Sequence, residues 1–296
     1  MLKQRVITAI VLLAIIVAAY MVSEVAFALV MGVGFTLALW EWLKLAGIPS
    51  KSSALVSAVV GITMMTITYL IYLEVQTSTI NETAYSSLFT GFALYLIAVS
   101  LLWLGISIRI FMARHTGLKI SSVVVAVTGV LFVPAAWLSF VSAMAAFGIA
   151  MVVSILCVVW IADIMAYFTG MAFGKRRLAP ALSPKKSWEG VIGGMVSVIL
   201  AGFAAAYGLA DATLPSVFIQ TTGPLGWCIG AVVLVALSIV GDLFESTLKR
   251  QAGIKDSSNL LPGHGGFYDR LDAMMPTLPS AFLCVMVLTF LGSMAA

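Results

Sequence analysis

Carboxylates and a lysine recur on one stripe of a single apolar stretch. In Gly241-Asp242-Leu243-Phe244-Glu245-Ser246-Thr247-Leu248-Lys249 the spacing stacks Asp242, then Glu245 or Ser246, then Lys249 at i, i+3 or i+4, and i+7 of a helix. Acids are costly among apolar groups, so two within one turn point either to an ion pair with Lys249 that eases burial or to a site that uses the charge. Downstream the chain runs Lys249-Arg250, Lys255-Asp256, Pro262-Gly263-His264-Gly265-Gly266 and Asp269-Arg270-Leu271-Asp272. This composition suits a phosphate and metal pocket. Glycines around His264 let the backbone N–H groups of Gly265 and Gly266 approach an anion closely. Lys249, Arg250, Lys255 and Arg270 supply charge for a polyphosphate, and Asp269 with Asp272 offers the hard oxygen ligands that Mg²⁺ takes.

A second polar set lies upstream. Asp163, Tyr167 and Gly170 fall at i, i+4 and i+7, and that face is expected to look inward. Just beyond, Lys175, Arg176, Arg177, Lys185 and Lys186 crowd into a dozen residues, with Ser183 and Glu189 beside them. Anions should gather there, although a basic anchor for anionic headgroups explains the count equally well. The prolines of this segment favour a shaped loop. Missing are a Gly-x-x-x-x-Gly-Lys-Ser/Thr phosphate loop, a His-Glu-x-x-His zinc site and a Gly-x-Ser-x-Gly nucleophile elbow. Cys157, Cys228 and Cys284 are scattered through apolar runs and read as small buried residues; His115 is assigned nothing.

The elements that must position these groups follow from composition. Of 296 residues 62% are hydrophobic and 9% charged, and the mean hydropathy is +1.12. A soluble domain needs about a quarter of its residues charged, so soluble, disordered, coiled-coil and nucleic-acid-binding classes are excluded together. The fold class expected is all-α, a polytopic membrane bundle, because lipid leaves no partner for an open backbone and a crossing takes about 20 apolar residues. Nine runs qualify: Val6 to Val22, Val25 to Leu43, Ala54 to Leu73, Ser86 to Ile108, Ser121 to Leu138, Phe147 to Phe168, Trp188 to Leu209, Leu225 to Leu248 and Thr277 to Ala295. The first resembles a signal peptide in its flanks, but is expected to be a retained span. With nine spans, all 16 Lys and Arg, from Lys3 and Arg5 to Arg270, fall on the N-terminal side, and Glu24, Glu74, Glu82 and Asp211 on the other. Positive residues stay inside, so the N terminus and the active site are expected to face the cytoplasm, in an inner-membrane, multi-pass protein. Residues 1–120 form an N-terminal region of about four spans; residues 121–296 form the catalytic region of about five, with cytoplasmic loops 174–187 and 249–276.

The eighth loop as a whole, Ser246-Thr247-Leu248-Lys249-Arg250, Lys255-Asp256 and Leu261-Pro262-Gly263-His264-Gly265-Gly266-Phe267-Tyr268-Asp269-Arg270-Leu271-Asp272, resembles the signature of the phosphatidate cytidylyltransferase family. Asp163 to Gly170, Ser183-Pro184-Lys185-Lys186-Ser187 and Glu189-Gly190 are similar to a second stretch of that family, and before residue 160 only Arg5 to Ala9 and Trp40-Glu41 look familiar. The resemblance implies a membrane enzyme that joins CTP and phosphatidate into CDP-diacylglycerol and pyrophosphate, uses Mg²⁺ and a second cation, and forms a homodimer, with no nucleic-acid partner. It places Asp242 and Asp269 at the family's metal-binding aspartates. Asp242, Asp269, Asp272, Lys249 and Arg250 are then the catalytic candidates. Lys175, Ser183, Lys185, Lys186, Ser246, Lys255, Asp256, His264, Gly265, Gly266 and Arg270 are the substrate-binding ones, and Asp163, Tyr167, Glu189 and Glu245 stand behind them. The rival class is a secondary transporter or ion channel using the intramembrane acids for coupling, which should show an internal repeat; none is visible. A CDP-alcohol phosphotransferase is the second rival, and its Asp-Gly and Ala-Arg pattern is missing.

Overall fold

The computed structural model describes residues 2–77, 82–208 and 212–295. The elements in order are α1 (Leu2–Val22), α2 (Glu24–Leu45), α3 (Ser50–Thr77), α4 (Glu82–Met112), α5 (Ser122–Phe147), α6 (Ile149–Phe173), β1 (Arg177–Ala179), β2 (Ser183–Ser187), α7 (Trp188–Gly208), α8 (Leu214–Gln251), α9 (Tyr268–Leu271) and α10 (Met274–Ala295). Among the described residues eight stretches are long and apolar enough to cross a membrane, and Val6–Val22 falls just short. The described part of each of the nine expected runs nevertheless falls on its own helix, except that Phe147, where the sixth begins, is the last residue of α5. The side chains of Lys3, Arg5, Glu74 and Glu82, and the whole of Leu209 and Asp211, lie outside the described residues.

One expected boundary is corrected. The fifth run does not stop at Leu138: α5 continues to Phe147, since residues 139–147 are apolar or small, and only Gly148, at φ 78°, turns the chain into α6. The eighth run starts where expected: α8 opens at Leu214 behind an N-cap from Thr213, Gly223 (φ 77°) interrupts it, and Pro224 begins the helical stretch that carries Leu225 to Leu248. The sixth loop is shaped, as its prolines suggest: β1 and β2 pair as an antiparallel hairpin, Arg177 facing Ser187 and Ala179 facing Ser183.

Helices in lipid associate through close packing and hydrogen bonds more than by escaping water. The core accordingly interleaves large rings with glycine. Trp42 of α2 lies 4.6 Å from Tyr268 and 5.4 Å from Phe244, and Trp103 stacks on Phe132 at 4.5 Å. Trp42 fits because Gly129 has no Cβ; one would come within 2.6 Å of its ring. Its indole N–H donates to the Val125 carbonyl at 2.7 Å, so the ring is buried without an orphaned donor. Between α6 and α7 the same device recurs, with Gly190 and Gly194 lying against the carbonyls of Ala166 and Ala162. The three cysteines are free and half-buried.

Five basic segments gather at one end of the bundle. Thr8 of α1 donates to the Pro262 carbonyl at 2.9 Å, and Gln251 at the end of α8 exchanges two hydrogen bonds with Ile120. Ala181 of the hairpin turn donates to the Arg114 carbonyl at 3.1 Å.

Candidate active site

Helix α8 carries one side of the site, and its last turns do what the spacing demands. Lys249 Nζ lies 2.6 Å from Glu245 Oε2, one turn back, and 2.6 Å from Asp269 Oδ1. The internal ion pair weighed from sequence therefore exists, and it is shared with a second carboxylate from α9. Asp269 is only 5% exposed. Its other oxygen, Oδ2, accepts from Ser257 N–H at 2.9 Å, from Ser257 Oγ at 2.9 Å and from Gly266 N–H at 2.7 Å. Glu245 Oε1 and the Tyr268 hydroxyl are buried beside this group with no hydrogen bond.

A second acid–lysine group sits under the hairpin. Lys186 of β2 reaches down to Asp242 Oδ2 at 2.6 Å, and Ser246 donates to Asp242 Oδ1 at 3.3 Å. Burial alone would lower the pKa of Lys186, but the field of Asp242, then of Asp163 and Asp272, raises it above the ordinary lysine value. Asp242 is thus in direct contact with the Lys186 ammonium, and Asp163 and Asp272 bear on it from further away. Close approach makes this feasible: a Cβ on Gly241 would strike the Asp272 carbonyl, so only glycine lets α8 lie against the start of α10.

Not every expected residue joins in. Tyr167 is 62% exposed and packs edge-on against Phe168, so the inward face expected for Asp163, Tyr167 and Gly170 is corrected. Against α7 the face of α6 that packs is Ala162, Ala166 and Gly170; Asp163 stands at its edge and Tyr167 beyond it. Lys175, Lys185, Arg250, Lys255, Asp256 and Arg270 are exposed and make no ion pair among the described residues; Ser183 is half-buried at the hairpin turn. Glu189 holds the entry to the hairpin, accepting from Lys175 N–H at 3.1 Å and from Arg176 Nε at 3.2 Å. The glycine loop is also used differently from the expectation. Gly266 N–H serves Asp269, Gly265 adopts φ 81°, and His264 Nδ1 is buried without a hydrogen bond.

One residue, noted in the sequence only as part of Trp40-Glu41, is given no role there. Glu41 of α2 is fully buried and accepts from Ser257 Oγ (2.9 Å), Ser258 Oγ, Phe267 N–H (3.2 Å) and Tyr268 N–H (2.7 Å). A lone acid in an otherwise apolar run next to Trp40 and Trp42 was the available signal.

A cavity of about 400 Å³ opens between α4, α7 and α8, with Leu178 and Ala179 of β1 at its wall. Val191, Met195, Ala236, Ile239 and Leu243 line it, and Arg114 stands at its rim. Phe111 and Trp188 meet edge to face there, 6.3 Å apart.

Among the described residues no three His, Cys, Asp or Glu side chains converge as a ready-made metal cage. Mg²⁺ needs none, since it commonly takes one or two carboxylates, several waters and substrate phosphates. The hard oxygens of Asp242, with Asp272 nearby, fit such an ion; Asp269 has its oxygens largely engaged and retains capacity at Oδ1.

Fold and site together define a polytopic membrane enzyme whose acid–lysine centre, at one end of the bundle, is fitted to phosphate chemistry. The cytidylyltransferase family model matches residues 3–288, and the chain belongs to that family. It is 37% identical over 284 residues to the phosphatidate cytidylyltransferase of Pseudomonas aeruginosa, covering 94% of this chain and 95% of that protein. The protein of the same name from Haemophilus influenzae is 33% identical over 292 residues, covering 94% and 96%. That of Thermotoga maritima is 40% identical over 145 residues, 48% of this chain and 51% of its own. Membership in an enzyme family sets the transporter reading aside.

Proposed function

We propose that this protein is a phosphatidate cytidylyltransferase. A phosphate oxygen of phosphatidate attacks the α-phosphorus of CTP, the bond to the β-phosphate breaks, and CDP-diacylglycerol and pyrophosphate result. The observation that carries this reading is the pair of adjoining acid–lysine groups, Lys186–Asp242 and Glu245–Lys249–Asp269, in a chain that matches the cytidylyltransferase family over residues 3–288. Such a transfer asks the protein chiefly to position two anions and offset charge on the phosphoryl oxygens. Lys186 and Lys249 stand where they can do both, and Arg250, Lys255 and Arg270 are free to draw CTP from solution. Ser246 orients Asp242.

Asp242 and Asp269, with Asp272 in support, would hold Mg²⁺, which would offset charge on the triphosphate and the leaving pyrophosphate. An acyl chain of phosphatidate lies in the cavity between α4, α7 and α8, whose apolar lining suits it, and Arg114, also in that lining, meets the headgroup. The site faces the cytoplasm of an inner membrane, and two copies associate as a homodimer. These assignments stand on the chemistry of the side chains and on the names of the relatives. Purified protein incubated with α-labelled CTP, phosphatidate and Mg²⁺ should release pyrophosphate and form labelled CDP-diacylglycerol. Label incorporated into no lipid, or into another lipid in preference to phosphatidate, would overturn the reading.

A further inference from the structure

The four donors that converge on Glu41 all come from residues 257–268, the segment that ends on Asp269. No lysine, arginine or histidine pairs with Glu41 among the described residues, although it is fully buried. A buried carboxylate persists only when hydrogen bonds replace its hydration, so the loop is the solvent shell of Glu41, and Glu41 is the anion around which the loop closes. Ser257 links the two carboxylates directly. Its Oγ is 2.9 Å from Glu41 Oε2 and 2.9 Å from Asp269 Oδ2, and its N–H donates to Asp269. Gly266 seals the arrangement, for a Cβ there would strike Ser257 Oγ and both Glu41 oxygens.

Resting on the cytidylyltransferase reading, we propose that Glu41 is a positioning residue for the reaction: through Ser257, Phe267 and Tyr268 it sets where Asp269, and with it Lys249, stands relative to Asp242. Helix α2 thereby takes part in catalysis without touching substrate. The alternative is that Glu41 merely ties α2 into the bundle. The two differ in what its loss disturbs. A tie within the bundle would loosen α2, α3 and α5 together, whereas a positioning residue would loosen residues 257–268 and leave those helices alone.

Glu41→Gln tests this, because either orientation of the amide turns an NH2 group toward a loop donor. In the full-length protein without substrates, backbone amides of residues 257–268 are expected to exchange with deuterium roughly tenfold faster or more, while those of α3 and α5 keep their protection. Trypsin should cut sooner after Lys255. In turnover, kcat should fall roughly tenfold to a hundredfold, as for a reacting group displaced by an ångström, with KM for phosphatidate within about twofold of the parent. Glu41→Asp, which keeps the charge with a shorter reach, should fall between, and its exchange pattern decides the matter if the glutamine variant does not fold. Unchanged exchange in 257–268, or equal loosening of all the helices, would overturn the proposal. The exchange result stands whether or not the parent protein turns over, so failure of the cytidylyltransferase reading is seen separately, as no labelled lipid from the parent.

Discussion

Asp242 and Asp269 are the same side chain placed under different obligations. Asp242 is 30% exposed and bound by one ammonium and one hydroxyl, whereas Asp269 is 5% exposed with every oxygen engaged. Both Asp242→Asn and Asp269→Asn should cut turnover by roughly a hundredfold or more at any Mg²⁺ concentration, since an amide neither binds the ion well nor offsets charge. They should part company in stability. Removing one member of a buried pair costs about 3–5 kcal/mol, so Asp269→Asn should lower the thermal midpoint of the purified protein and Asp242→Asn scarcely move it. Glu245→Gln should lose less activity, because Lys249 keeps Asp269. Wild-type turnover in either aspartate variant removes that residue from the ligand set. Lys185 and Lys186, adjacent in sequence, are predicted to differ as well: Lys186→Ala lowers kcat, and Lys185→Ala, whose side chain points to solvent, at most raises a KM by about twofold. Equal effects in the two would mean that Lys186 acts only as surface charge. The α8 acids, Lys249 and the Asp269 loop were legible because charge at helical spacing inside an apolar run is too costly in lipid to persist without a partner or a use. Glu41 was not, since nothing along the chain announces that a loop more than two hundred residues away will wrap a single glutamate. Nor could spacing tell that the glycine-loop donors serve the protein's own carboxylates.

At the scale of elements, the spans were readable because lipid enforces their length, and their ends were not. A stop such as that expected at Leu138 depends on where Gly148 turns the chain, and the hairpin of β1 and β2 depends on pairing that no short basic stretch declares. That hairpin matters more than its size suggests. It lowers Lys186 onto Asp242 and roofs the cavity between α4, α7 and α8 with Leu178 and Ala179. Filling the cavity with Val191→Trp should raise KM for long-chain phosphatidate roughly tenfold, leave KM for CTP unchanged, and matter little for a dioctanoyl analogue. If long and short substrates suffer alike, or neither does, the acyl chain lies elsewhere.

For the whole molecule, the sorting of basic residues along the sequence and the gathering of their segments at one end agree. Single cysteines at Arg176 and Lys255 in a variant lacking Cys157, Cys228 and Cys284 should be labelled by an impermeant reagent only after the cytoplasmic side is opened. Labelling of intact cells at either position would invert the topology. The elements that supply the site run from α2, which gives Glu41, through α6 and α8 to α9, which gives Asp269 and is capped by Asp272. During synthesis the helices enter the bilayer in order, and α8 arrives with Asp242, Glu245 and Lys249 before Asp269 and Asp272 exist. A nascent chain arrested there holds Glu41 with no donors around it and acids without their counterparts, in lipid. Such a chain is inactive, and turnover waits until residues 257–272 have folded back onto α2 and α8.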